Sequence, residues 1–230
     1  MLDEIISVER VECDSLCYDI TIEDNNNFFA NDILVHNCQN LSQRTMDDYA
    51  ELEWEVTEKI EGSSGTFFVR DGEYFACSRN LVMRLIDGSR WKHLTEKFDL
   101  ENKLKNLGRN IAIQGECIGP KISGNIYKLT EFGFAIFDVF DIDKQAYLSP
   151  QERYDVLEIL GLMKLHVPII HKAFSFKGMS KDEMLLMADG QSLIGQTLRE
   201  GLVWKSTTLV DGDTRSFKTV SNRYLLRHDS

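Results

Sequence analysis

Two stretches of this chain gather side chains that can act on bonds. The first is Lys59-Ile60-Glu61-Gly62, followed by Ser63 and Ser64. A lysine entering a loop of small residues can present its amine to a phosphate while the backbone closes on the ligand. Such a tetrapeptide is common by chance, but further candidates follow it in order: Arg79 in "CSRN", Glu116 in "IAIQGECIGP", Phe137 in "FGFAIFDVFDI", Glu200 in "EGLVWKS" and Lys218 in "RSFKTVSNRYLL". The second stretch is His36-Asn37-Cys38, at the end of "FFANDILVHNC". Three reactive side chains stand side by side there, whereas active sites usually collect them from distant loops. His36 can give or take a proton at neutral pH.

The elements that must position these groups are mostly strands. Phe67 to Arg70 and Glu73 to Ser78 flank Asp71-Gly72, a two-residue hairpin signal. Glu116, Phe137 and Glu200 sit in or beside apolar runs of strand length. Ser149-Pro150-Gln151-Glu152 is a capping box with proline at the first helical position, opening a helix that stops at Gly161. Ser180 to Glu183 repeats the signature. Between residues 84 and 107, Trp91, Leu94, Phe98, Leu100 and Leu104 form the apolar side of a helical stretch whose basic side faces solvent or the phosphates of a ligand. No internal repeat appears. The pattern predicts an α+β domain built on antiparallel sheets.

Composition bounds the reading. The chain has 230 residues, 43% hydrophobic, with a formal net charge of -11. No apolar run approaches the roughly 20 residues needed to span a bilayer, and the acidic start "MLDEIISVERVE" does not resemble a signal peptide. A cytoplasmic protein is expected, in a phage-encoded or bacterial context. Five cysteines, at 13, 17, 38, 77 and 117, are odd in number and read as reduced thiols. Charge is uneven: residues 1–37 hold nine acids and one base, whereas residues 38–230 hold 28 acids and 25 bases. That asymmetry suggests two units with different partners. No G-x-x-x-x-G-K-S/T occurs, so P-loop ATPase chemistry is not expected.

Taken singly, Glu116 reads as a strand acid, Phe137 as core and Lys218 as a surface base. As an ordered set these residues resemble the covalent nucleotidyltransferases, the ligases and capping enzymes. The wording of "EKIEGSS", "QGECIGPKISGNIYKL", "EGLVWK" and "SFKTVSNRYLL" resembles most the ATP-dependent RNA ligases of the Deinococcus type, over roughly residues 50–227. The resemblance implies that Lys59 attacks the α-phosphate of ATP, that the adenylate passes to an RNA 5′-phosphate, and that a 3′-hydroxyl displaces AMP. It assigns Lys59 and Lys218 to catalysis. Glu61, Arg79, Glu116, Phe137, Glu200 and Lys218 would bind the nucleotide, with Glu116 on the ribose, Phe137 on adenine, Arg79 on phosphate or the RNA end, and Glu200 on Mg2+ or Mn2+. At pH 7 only roughly one free lysine in a few thousand is neutral. A nearby Lys218 and a divalent metal would favour the neutral amine and offset phosphate charge. The position two before Lys218, often a second lysine in this family, is Ser216, and Lys205 is a candidate to share its work. An ATP-dependent DNA ligase, a capping-type enzyme and an inactive ligase-like binding module stay open as alternatives.

Residues 1–38 resemble the C-terminal splicing motifs of an intein, through "YDITIEDNNNFFANDILVHNC". This implies that Asn37 cyclises to cleave its own peptide bond, that Cys38 attacks a thioester carrying upstream sequence, and that His36 assists. Asn26 stands where a histidine is frequent. The expectation is a split-intein C-terminal fragment at 1–37, an extein linker at 38–50 and an RNA ligase nucleotidyltransferase domain at 51–230. The short all-β fragment would complete a Hint-type fold with a basic N-terminal partner that carries the upstream ligase region. The remaining partners expected are RNA ends or nicked duplex, with no membrane.

Overall fold

Lys59 stands where the chain crosses between two five-stranded sheets. The computed structural model describes residues 27–30, 33–36, 39–79 and 81–228. Strands β1 (Asn27–Ala30) and β2 (Ile33–His36) pair antiparallel as a hairpin. Next come β3 (Gln39–Asn40), α1 (Gln43–Asp48), β4 (Trp54–Lys59), β5 (Ser63–Arg70) and β6 (Glu73–Cys77). Two helices follow, α2 (Arg90–Phe98) and α3 (Leu100–Asn106), then β7 (Ile111–Ile118), β8 (Gly133–Asp141), β9 (Ala146–Tyr147) and α4 (Pro150–Ile159). The chain continues through β10 (Ile169–Phe174), α5 (Lys181–Ala188), β11 (Gly201–Ser206), β12 (Ser216–Val220) and α6 (Asn222–His228). No helix among the described residues is long and apolar enough to cross a membrane.

The first sheet runs β10-β4-β11-β12-β3, antiparallel except where β3 joins β12. Alternation decides its faces. Trp54 and Val56 of β4, Leu202 and Trp204 of β11 and Phe217 of β12 share one core with Phe176, Met184, Leu41 and Met46. Its aromatic rings interlock, with Trp54 and Phe217 centroids 4.9 Å apart and Trp204 stacked on Phe217 at 5.5 Å. Residues 39–50, expected to be a linker, supply β3, α1 and the buried Leu41 and Met46 to this sheet.

The second sheet runs β6-β5-β7-β8-β9. One face buries Phe67, Ile111, Ile113, Phe134 and Val139 under α2, α3 and α4. Both capping boxes form, at Ser149 with Glu152 and at Ser180 with Glu183. Asp71 and Gly72 adopt positive φ angles of 53° and 80° to close the β5–β6 hairpin. The amphipathic stretch within 84–107 is two helices, because Asp99 takes a left-handed conformation (φ 54°) that ends α2 and begins α3.

Between the sheets lies a buried charged cluster. Glu55 of β4, fully buried, accepts from Arg153 Nη2 and from the Tyr154 hydroxyl of α4. Lys205 of β11 pairs with Asp138 of β8 at 2.5 Å and donates to the Phe137 carbonyl at 2.9 Å. Burial alone would push the Glu55 carboxyl up, but Arg153, the Tyr154 hydroxyl and Lys205 together hold it below its ordinary range. His166 accepts from Arg153 Nε at 3.1 Å. Burial and the Arg153 charge push its imidazole down to about 4, so the ring is neutral.

The expected Hint-type fold is corrected here. Two strands of four residues pair only with each other, and no other described strand joins them into the larger sheet of a splicing domain. His36 closes β2, while Asn37 and Cys38, with residues 1–26, lie outside the described residues.

Removing one partner of a buried ion pair leaves the other charge uncompensated. Arg153→Met is expected to cost about 3–5 kcal/mol of unfolding free energy in urea denaturation. The pair Glu55→Met/Arg153→Met should recover more than half of that loss, since it removes both charges. A single mutant as stable as the parent would contradict the role assigned to this cluster.

Candidate active site

The crossing from β4 to β5 takes only Ile60, Glu61 and Gly62. Gly62 is required there, because a Cβ at that position would lie 2.6 Å from the Cys117 carbonyl oxygen. Lys59, last in β4, pairs with Gly201 of β11, and Gly201 pairs with Val220 of β12. Glu200 therefore arrives beside Lys59, and Lys59 Nζ donates to Glu200 Oε1 at 2.5 Å. The next row of the same face is Thr57, Val203 and Lys218. Lys218 thus shares the face of Lys59 two strands away.

The second sheet supplies the opposite wall. Glu116 lies on β7 opposite Ala135. The β7–β8 ladder shifts register between Gln114 and Gly115, which pair with Asp138 and Ile136, so Phe137 is an extra residue. A bulge of this kind turns two successive side chains to one face. Phe137 and Asp138 both reach Lys205, whose Nζ is 5.6 Å from the Phe137 ring centroid. Phe137 packs with Ile60, Ile118, Tyr127 and Val167. Arg79 is exposed just past β6, close enough to Glu116 to lower its pKa slightly.

Three glutamates crowd this space. Burial pushes the Glu116 carboxyl up to about 7; Lys59 opposes the shift, while Glu200 and Glu61 add to it. Glu200 is raised by burial and by Glu61, against the pull of Lys59. Among the described residues, Glu116 Oε2 and Glu200 Oε2 are buried without a hydrogen-bond partner. Glu61 is held at both ends, its N–H donating to the Tyr127 hydroxyl at 2.8 Å and its Oε2 accepting from the Tyr224 hydroxyl at 3.2 Å.

All seven ligase-type candidates therefore border one interval between the sheets. Tyr127 and Tyr224 were not singled out by sequence. The available signal for Tyr224 is its place three residues after Ser221, whose hydroxyl accepts from the Tyr224 N–H at 3.1 Å at the start of α6. Ser216 pairs directly with Lys205 across β11 and β12. Lys205 is engaged by Asp138 and Phe137, so the basic group at that position ties the sheets together.

The orphaned Glu116 and Glu200 oxygens fit ligands that bring hydroxyl donors or a divalent cation. Among the described residues no group of three or more His, Cys, Asp or Glu side chains is arranged to hold a metal alone. A hard cation here would complete its shell with phosphate oxygens and water, as magnesium commonly does.

The RNA ligase family model matches residues 52–220. Among solved structures, Naegleria gruberi RNA ligase variants with AMP and Mn, and with ATP and Mn, are each 34% identical. Both align with a TM-score of 0.80 over 89% of this chain and 60% of theirs. The same ligase with PPi is 34% identical, with a TM-score of 0.78 over 92% of this chain and 64% of its own. The chain thus spans about 60% of the length of these structures. A search of curated proteins finds no match. These findings overturn the split-intein reading. The ligase fold covers a larger share of the chain than residues 38–230 make up, and among the described residues no splicing domain accompanies it. The roles given to His36, Asn37 and Cys38, and the N-terminal intein partner, fall with that reading.

Glu116 also has a measurable effect on stability. Its carboxyl is held near 7 in the fold against an ordinary 4.5, so the folded state binds its proton more tightly than the unfolded chain does. The resulting penalty is absent below about pH 4.5, grows as pH rises and is complete above pH 7, reaching about 3 kcal/mol at most. Glu116→Gln should therefore raise the melting temperature of the ligand-free protein by about 3–10 °C at pH 8 and leave it nearly unchanged at pH 4.5. Equal effects at both pH values would contradict the burial of an ionised Glu116.

Proposed function

We propose that this chain, which belongs to the RNA ligase family, joins RNA ends through an adenylate carried on Lys59, using ATP and Mg2+ or Mn2+. The observation that carries the proposal is the contact of Lys59 Nζ with Glu200 Oε1 beside the orphaned carboxyl of Glu116. The Naegleria structures with ATP or AMP and Mn support the cofactors.

The chemistry proceeds in three displacements. Lys59 must first lose a proton, and Glu200, raised by burial and in direct contact, is the carboxylate positioned to take it. The Lys59 nitrogen then bonds the α-phosphorus of ATP, and the bond to the leaving pyrophosphate breaks. An oxygen of the RNA 5′-phosphate next attacks the same phosphorus and releases the lysine. Finally the 3′-hydroxyl oxygen attacks the 5′-phosphorus and AMP departs.

Each wall of the cleft has a part in this scheme. Glu116 Oε2 is an acceptor waiting for ribose hydroxyl donors. Phe137, turned inward by its bulge beside Ile60, offers a face for adenine. Lys218 and Arg79 supply positive charge toward phosphate. A divalent cation at Glu200, when bound, neutralises phosphate oxygens.

Incubating the full chain with α-labelled ATP and magnesium should give covalent label that survives denaturation. Lys59→Ala should abolish it, and Glu200→Gln should slow it about 10²–10⁴-fold. Undiminished labelling of Lys59→Ala would overturn the assignment of the nucleophile.

A further inference from the structure

Strand β6 is an edge of the second sheet, and the segment after it forms an outward ridge. The Ser78 N–H donates to the Leu81 carbonyl at 2.9 Å, which closes a tight turn. Val82 bridges back to Cys77, and the Met83 N–H donates to the Ala76 carbonyl at 2.7 Å, so the segment returns extended along β6. Alternation then separates its side chains. Met83 and Leu85 turn inward and pack on the core beneath α2 and α3. Val82, Arg84 and Ile86 turn outward, the two apolar ones 55% and 62% exposed, and Leu81 at the turn is 65% exposed.

Three large apolar side chains within six residues at a sheet edge are a surface that proteins normally cover or interrupt. Here the interruption is basic. Arg79 and Arg84 are both exposed, and among the described residues neither enters an ion pair. Cys77 at the end of β6 pairs with Thr66, near the start of β5 and two residues from Ser64, which pairs with Glu116, so Arg79 stands at the head of the ridge at the cleft end of the sheet.

We propose that residues 81–86 extend the contact expected of Arg79 into a docking ridge for an RNA strand end, with a phosphate on Arg84 and bases against Leu81, Val82 and Ile86. The proposal rests on the ligase reading above and adds where the RNA lies. Apolar side chains accept any base face, and arginines read phosphate rather than sequence, so the ridge grips RNA without sequence preference. Extended backbone from Val82 to Ile86 spans about 13 Å, which matches roughly four bases stacked at about 3.4 Å.

The test uses the full chain and a 5′-phosphorylated RNA, both single-stranded and as a nicked duplex, followed by fluorescence anisotropy without ATP. Val82→Ser/Ile86→Ser should weaken binding tenfold or more. Arg84→Gln should weaken it about three- to tenfold and lower the slope of log affinity against log salt by about 1. Labelling of Lys59 by ATP alone should stay within twofold of the parent, while kcat/KM for RNA sealing falls through KM. RNA affinity within twofold of the parent in both variants would overturn the proposal. So would parental self-association that the double variant abolishes, because the ridge would then be a contact between copies. If the double variant does not fold, the salt slope of Arg84→Gln decides alone. Failure of the parent to label with ATP would instead count against the ligase reading, since RNA binding is measured without ATP.

Discussion

Consecutive strands of this chain belong to different sheets, and only three residues separate them. β4 ends at Lys59 in one sheet and β5 begins at Ser63 in the other. So short a crossing forces the sheets to diverge at the lysine. Anything on the facing surfaces near that point must look toward it. Glu200 comes alongside through the β4–β11 ladder, Lys218 through the β11–β12 ladder, and Glu116 through the β5–β7 ladder. Backbone hydrogen bonding therefore positions groups that sequence scatters over 160 residues.

The same interval handles charge in two opposite ways. Away from the lysine, the Glu55–Arg153 and Lys205–Asp138 pairs are buried and matched, so they bind the sheets without leaving a carboxylate exposed to a dry interior. Beside the lysine, Glu116 and Glu200 each keep one buried oxygen without a donor. An unsatisfied buried acceptor costs on the order of 1–3 kcal/mol. Two such carboxylate oxygens stand together beside Lys59, whereas the other buried orphans among the described residues, such as Glu58 Oε1 and Arg153 Nη1, are scattered singly. The two regimes touch at Phe137 and Asp138. The bulge that turns Phe137 toward the cleft also delivers Asp138 to Lys205, so the clamp fixes the aromatic wall as well.

Legibility in the sequence followed the range of the interactions involved. Features set by a few neighbouring residues could be read directly: the Asp71-Gly72 turn, the capping boxes at Ser149 and Ser180, and the lysine-loop signature at Lys59. The order of the strand motifs pointed to the family and to an α+β fold with antiparallel sheets. Features that depend on pairing between distant strands were invisible. Nothing in "FGFAIFDVFDI" announces a bulge, because the bulge exists only relative to β7. Tyr224 passed unnoticed because its partner, Glu61, is 163 residues away. Asp99 broke an apparently amphipathic stretch because one left-handed residue costs little when it can cap a helix. The His36-Asn37-Cys38 reading failed for a related reason. It rested on local wording, whereas the family model matches residues 52–220 and the aligned structures follow the ligase fold over up to 92% of the chain.

Net charge was the least informative quantity, and the structure explains why. A total of -11 argues against a polyanionic substrate only if charges act as a sum. Many bases here are already committed to nearby acids: Arg109 to Asp141, Arg153 to Glu55, Lys205 to Asp138 and Lys92 to Asp87. Such pairs contribute little field beyond a Debye length of about 10 Å at 0.1 M salt. Of the remainder, Arg79 and Arg84 stand exposed at the edge of the second sheet, and Lys218 is half-buried on the face of Lys59. Acids that face the cleft do not cancel the attraction of these bases for phosphate fully, because burial holds the Glu116 carboxyl near 7 and it is partly protonated at neutral pH. An acidic protein can thus present a locally receptive path to phosphate, so long as its bases are unpaired along that path and its acids are paired or partly neutral.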